Sequence, residues 1–110
     1  MIESYDFGRI VIDGKAYSRD VIIFPDRVLG GWWRKEGHGI DIEDLKDVIE
    51  FKPEILVIGT GYSGRLRVKD ETLKSLKSAG IEVILEDTKK ACDILNSKGK
   101  SAVGAFHLTC

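Results

Sequence analysis

Three short runs rich in β-branched residues, Glu54 to Ile58, Ile81 to Leu85 and Ala102 to Leu108, each follow a segment whose apolar residues recur at helical spacing. That alternation restricts the later part of the chain to an αβαβαβ order. Asp41 is placed to cap the first helix, with Asp44 three positions beyond it, Ile42, Leu45, Val48 and Ile49 on one face, and Pro53 closing it. Asp70 caps a second helix bearing Leu73 and Leu76 and ended by Gly80, and a third carries Thr88, Ala91, Cys92 and Leu95 on one face up to Gly99. Two right-handed crossovers then set the three strands in one mostly parallel sheet.

The N-terminal part follows a different pattern. Ile10-Val11-Ile12, then Asp13-Gly14, then a second extended segment running to Phe24 predicts a β-hairpin, because Asp-Gly accepts the positive φ angles of a type I′ turn. Pro25-Asp26 interrupts, and Arg27 to Arg34 predicts a further strand with Gly30-Gly31 allowing a bulge. On that strand Trp32 and Trp33 would point to opposite faces, one into the core and one to a pocket or partner surface. A chain of 110 residues supports one hydrophobic core. The expectation is an α/β single domain over residues 1–110, β-rich over about 1–35 with an N-terminal hairpin extension, and αβαβαβ over about 41–110.

Seventeen basic against eighteen acidic residues leave a net charge of -1, which argues against nucleic acid as a partner. Val21 to Phe24 and Ile55 to Ile58 are far shorter than the roughly 20 apolar residues that cross a bilayer. Met1 to Asp6 shows neither the basic start of a signal peptide nor the Arg-rich pattern of a transit peptide, so a cytoplasmic location is expected. Cys92 and Cys110 are expected as free thiols, Cys92 as a small core residue. With His38 and His107 they form no metal-ligand spacing, and no metal or other cofactor is expected. Plentiful Lys and Glu with no Gln and a single Asn is the compositional tilt of heat-adapted proteins.

The strand ending at Ile58 breaks into Gly59-Thr60-Gly61-Tyr62-Ser63-Gly64, a G-x-G-x-x-G arrangement, and Glu86 closes the next strand where a ribose-binding acid would stand. A dinucleotide site nevertheless fails here. The helix should start inside the glycine motif, whereas Arg65 to Lys69 intervene, and Asp70 and Glu71 would set carboxylates against a pyrophosphate. A nucleophile elbow fails too, because in Gly61-Tyr62-Ser63-Gly64-Arg65 the second glycine comes one position early. The bland alternative is a tight connection with Ser63 bonded to backbone. Its length, from Gly59 to Lys69, exceeds the roughly 2 to 6 residues usual in α/β units, and such a loop at the carboxyl end of a parallel strand is where ligands dock.

Parallel strands would bring that loop, Glu86 and His107 to one edge. Ser63, His107 and Glu86 then stand as candidate nucleophile, base and orienting acid, with Cys110 as another nucleophile for His107. The plain alternatives are a hydrogen-bonded strand histidine, a chain-end thiol and a helix-start acid. Gly59, Thr60, Gly61, Ser63, Arg65, Arg67 and Trp33 are the candidate ligand-binding residues, the two arginines being able to grip a carboxylate or phosphate.

Three blocks together, Trp33-Arg34 through His38 to the Asp41 helix, then Leu56 to Val68, then Val103 to Cys110, carry a family resemblance. The chain resembles the small domain family that includes the adipogenesis-associated Mth-type domain protein and a mitochondrial assembly factor of respiratory complex I. The family's L-V-I-G-x-G-x-S and L-x-V pattern falls on Leu56 to Gly61, Ser63, Leu66 and Val68, and leaves Gly64 outside. Its closing block falls on Gly104, Phe106, His107, Thr109 and Cys110. The resemblance implies a three-layer α/β fold with a mixed central sheet, and it brings no reaction. The functional expectation is a domain of unknown function acting as a non-enzymatic binding or assembly module through a pocket at residues 59–67. Its partner would be a protein or a small anionic ligand, with a homodimer as one arrangement. The alternative is a small enzyme acting on an anionic metabolite through Ser63 or Cys110 with His107.

Overall fold

The computed structural model describes residues 1–110. Its strands are β1 (Ile2–Asp6), β2 (Arg9–Ile12), β3 (Lys15–Tyr17), β4 (Val21–Ile23), β5 (Val28–Gly30), β6 (Gly39–Ile40), β7 (Ile55–Thr60), β8 (Arg67–Val68), β9 (Glu82–Glu86) and β10 (Ala102–His107). The α-helices are α1 (Lys46–Phe51), α2 (Asp70–Ser78) and α3 (Thr88–Lys98). A mixed five-stranded sheet, in the order β5-β4-β10-β7-β9, organises them. Its β10, β7 and β9 are parallel, as the crossovers require, while β4 runs antiparallel to β10 and β5 antiparallel to β4.

Both faces of this sheet are buried, and strict alternation along the strands divides the core in two. Leu56 and Ile58 of β7 and Val103 and Ala105 of β10 meet Val48 of α1, Leu76 of α2 and Trp32. Val57 and Phe106 point the other way, onto Ala91, Cys92 and Leu95 of α3 and onto Ile10 and Ile12 of β2.

Several local outcomes differ from expectation. β1 pairs with β2, and the alternation Ile2, Ser4, Asp6 gave too weak a signal to predict it. β2 and β3 pair antiparallel around Asp13-Gly14, whose φ angles are +48° and +80°. The extended segment beyond that turn divides, however. Lys15–Tyr17 stays with β2, whereas Val21–Ile23 crosses into the central sheet beside β10. Val21, Ile22 and Ile23 are all buried, and only a strand flanked on both edges and covered on both faces satisfies a run apolar throughout. The Arg27–Arg34 strand shrinks to Val28–Gly30, so neither tryptophan lies on a strand. Trp32 is still buried, donating Nε1–H to the Asp44 carbonyl at 2.9 Å, and Trp33 is 75% exposed. The helix expected from Asp41 begins as a 3-10 turn, Ile42–Leu45, with the Asp41 amide bonded to the Asp44 carboxylate at 2.9 Å. Asp70 lies inside α2, with Lys69 at the capping position.

Candidate functional site

The register of the parallel strands sets the carboxyl edge. His107 lies beside Thr60, Phe106 beside Gly59, and Gly59 beside Glu86. Thr88, in the first turn of α3, ties the edge together. Its hydroxyl donates to the His107 carbonyl at 2.6 Å and accepts the Gly61 amide at 2.8 Å, while its own amide donates to the Gly61 carbonyl at 3.0 Å. One hydroxyl can serve as donor and acceptor at once, so a single buried side chain registers three strand ends. Thr60 Oγ1 adds a bond to the Glu86 carbonyl at 3.0 Å, and the Tyr62 amide one to the Thr109 carbonyl at 2.8 Å.

Within the loop the glycines serve packing. A Cβ on Gly59 would lie 2.9 Å from Thr88 Oγ1 and 3.1 Å from the Phe106 ring, so this glycine faces α3 and the core. Gly61 has φ +104°, and a Cβ there would fall 2.6 Å from the Thr109 carbonyl and 2.9 Å from the His107 ring. The Gly61, Tyr62, Gly64, Leu66 and Arg67 amides are all spent on Thr88, Thr109, Gly61, Thr60 and His38 respectively. A phosphate cradle needs free amides converging on one point, and the bonded ones here are committed elsewhere.

A cleft of about 440 Å³ does open beside the loop, lined by Thr60, Ser63, Gly64, Leu66, Arg67, Val68, Leu85, Glu86 and Asp87. Four predicted site residues, Thr60, Ser63, Arg67 and Glu86, thus come together. Gly59, Gly61, Arg65, Trp33, His107 and Cys110 do not line it. Its charged lining is one guanidinium against the two carboxylates of Glu86 and Asp87, a poor match to the small anionic ligand expected.

His107 belongs to a different constellation. Its Nδ1 lies 2.8 Å from Asp20 Oδ2, and the same carboxylate oxygen receives Arg34 Nη1 at 2.6 Å. Asp20 Oδ1 accepts the Leu108 amide at 2.8 Å. Nδ1 thus faces both the acceptor-only Asp20 carboxylate and the donor-only Arg34 Nη2, which is 3.2 Å away, while Nε2 lies 3.5 Å from Thr109 Oγ1. Burial by itself would raise the Asp20 pKa, but the hydrogen bonds from His107, the Leu108 amide and Arg34 outweigh it and hold the carboxyl below its ordinary value. Arg34 is enclosed, with its side chain 6% exposed, its guanidinium 4.9 Å from the Trp32 ring and its Nε without a partner. The carboxylate against the imidazole is that of Asp20, not Glu86, and neither Ser63 nor Cys110 is a hydrogen-bond partner of the ring. Arg34 stood in one of the resemblance blocks without a role and Asp20 in none; no spacing links residues 20, 34 and 107, and only the tertiary fold joins them.

Two exposed aromatics border the loop. Tyr62 is 54% exposed and Phe7, in the β1–β2 turn, 57%, and their rings meet edge-on at 5.8 Å between centroids. The Gly8 amide, next to Phe7, bonds the Leu108 carbonyl at 2.9 Å, which anchors this turn to the carboxyl edge. No helix is long and apolar enough to cross a membrane.

A family model described as "Protein of unknown function (DUF498/DUF598)" matches residues 2–107. The protein called NADH dehydrogenase (ubiquinone) 1 alpha subcomplex assembly factor 3 from Danio rerio is 31% identical over 112 residues, covering 96% of this chain and 63% of its own length. Its Homo sapiens counterpart is 30% identical over 98 residues, covering 86% of this chain and 52% of its own. The chain thus spans between about half and two thirds of those relatives. Among solved structures, a conserved hypothetical protein of Pyrococcus horikoshii OT3, PH1505, superposes with a TM-score of 0.88 at 30% identity, covering 100% of this chain and 99% of that one. A Mth938-like domain protein of Bordetella pertussis shares the fold, with a TM-score of 0.75 at 20% identity over 97% of this chain and 84% of that one.

Proposed function

From the premise that the chain belongs to the DUF498/DUF598 family of proteins of unknown function, we propose that it is a non-enzymatic binding or assembly module whose partner is another protein. The docking surface is the carboxyl edge of the parallel strands, at the 59–67 loop and the aromatics beside it. The observation that carries this is the exposed Phe7–Tyr62 pair, two large rings held against each other over a loop whose backbone is internally bonded. Rigid exposed aromatics on a preorganised edge are the residues that anchor protein interfaces. The relatives named as an assembly factor agree in kind. In this reading residues 1–110 act as one three-layer domain, with the β2–β3 hairpin as an extension on the α3 side.

The test is native mass spectrometry of the purified protein after incubation with a fractionated extract of its source cells, beside a Phe7→Ala, Tyr62→Ala variant. A reproducible added mass of protein size that the variant loses supports the module. An added mass of metabolite size, lost on Ser63→Ala instead, would replace it with a ligand-binding role.

A second reading has one observation in its favour, the Asp20–His107 pair, since a carboxylate on Nδ1 is how a general-base imidazole is oriented. In that case His107→Ala abolishes a turnover while leaving the fold, whereas an interaction module has no turnover to lose.

A further inference from the structure

The central sheet ends on β9, and no strand pairs with its outer side, although Leu85 and Glu86 at its carboxyl end share the loop cleft with Leu66, Arg67 and Val68. The Glu82 amide donates inward to the Glu54 carbonyl at 2.9 Å, so Glu82, Ile84 and Glu86 direct their backbone groups to β7. By the alternation of a strand, Val83 and Leu85 present N–H and C=O outward, and no strand lies there to receive them. The side chains are equally unfinished. Val83 and Ile84 are only half-buried and Leu85 is 44% exposed, three consecutive apolar residues at an open edge. The other end of the sheet is unlike this: β5 has three residues, and the Tyr17 ring stands 3.4 Å from where a Cβ of Gly30 would be.

Charge decides what covers the edge. Glu82 and Glu86 bracket the apolar residues, point to the same side as Ile84, and form no ion pair. A second copy pairing antiparallel about Ile84 would set Glu82 opposite the partner's Glu86 twice, like charges directly across a ladder. The same bracket attracts a strand with cations at those two places. Because Glu82-Val83-Ile84-Leu85-Glu86 has the same charge pattern in either direction, a parallel or an antiparallel strand satisfies it equally.

We infer that the outer edge of β9 is a strand-addition site for an extended segment of another protein, carrying a basic residue, three apolar residues and a second basic residue in succession. Main-chain bonds from Val83 and Leu85 supply the pairing, and Glu82 and Glu86 select the sequence. This surface borders the loop cleft at Leu85 and Glu86 but makes no use of the Phe7–Tyr62 pair.

The test uses the full chain, isotopically labelled, and a capped nonapeptide with Lys-Val-Ile-Val-Arg at its centre, followed by NMR titration and amide hydrogen exchange. Saturable shifts confined to β9 and its neighbours are expected, with exchange at Val83 and Leu85 slowed at least about tenfold at saturation. A peptide with Glu-Val-Ile-Val-Glu at its centre should not bind, and a Glu82→Lys, Glu86→Lys protein should reverse the preference. Leu85→Pro removes an outward N–H where an edge strand tolerates proline, and should weaken binding about tenfold or more. Should that variant not fold, the charge-reversed pair carries the test. Phe7→Ala, Tyr62→Ala should bind the peptide unchanged, which separates this surface from the aromatic pair. Equal binding of both peptides, shifts only at residues 59–67, no binding, or a dimer that Leu85→Pro dissociates would each overturn the assignment.

Discussion

The Asp20 carboxylate holds His107 Nδ1 at 2.8 Å and Arg34 Nη1 at 2.6 Å on the same oxygen, so one anion neutralises an enclosed guanidinium and orients an imidazole. Replacing it as Asp20→Asn strands the buried Arg34 charge, and loss of one partner of such a pair costs about 3 kcal/mol or more. A second consequence concerns acid. The native carboxyl ionises below its ordinary value of 3.8, so its contribution is present above that value and disappears as pH falls through the lowered native one. Urea unfolding between neutral and strongly acidic pH should show the variant less stable at neutrality and flatter on the acid side.

Gly61 and Gly64 both have positive φ, yet their surroundings differ. Gly61→Ala drives a methyl against the Thr109 carbonyl and the His107 ring, at 2.6 and 2.9 Å, and should cost about 3 kcal/mol. Gly64→Ala meets Thr60 Oγ1 at 3.6 Å and Asp87 Cβ at 3.9 Å, both ordinary contacts, leaving the backbone penalty of about 1 kcal/mol. Denaturant midpoints of the two variants should fall in that order.

Burial pushes the Cys92 thiol up to about 12, with the Asp93 charge adding to the rise, while Cys110 is exposed. Iodoacetamide at pH 8 should therefore modify the native protein once, at Cys110, and twice after unfolding, as read by intact mass. Above pH 9 the unfolded thiolate is favoured over the native thiol, so Cys92 contributes to a loss of stability that continues as pH rises towards its native value.

The tryptophans divide by burial. Trp32→Ala removes a core ring and the bond to the Asp44 carbonyl, and should cost about 3 to 5 kcal/mol. Trp33→Ala should lie within about 0.5 kcal/mol of the parent. Acrylamide quenching should lose its accessible component in Trp33→Phe and retain it in Trp32→Phe.

The αβαβαβ order was legible because α2, α3 and the strands β7, β9 and β10 each carry the apolar spacing that burial on one helix face or both sheet faces demands. So was the carboxyl-edge location of the 59–67 loop, since parallel strands bring their ends together. The fate of the segment beyond Gly14 was not. Lys15–Tyr17 and Val21–Ile23 read as one extended run, and their separation into two sheets depends on the vacancy beside β10 that only Val21–Ile23 can fill. Glu86 was placed at the right strand end and given the wrong partner, because a carboxylate's direction depends on the face it occupies. Asp20 carries no local pattern at all.

The order of helices and strands in the later part of the chain and the glycines that permit a turn were determined by sequence, because hydrophobic period and φ preference act within a few residues. The pairing of Asp20 with His107 and Arg34, the commitment of the loop amides to Thr88 and Thr109, and the unpaired outer edge of β9 were decided by tertiary structure. Each depends on which strands become neighbours, and that outcome minimises exposed apolar surface and unpaired backbone over the whole chain, so no single segment encodes it.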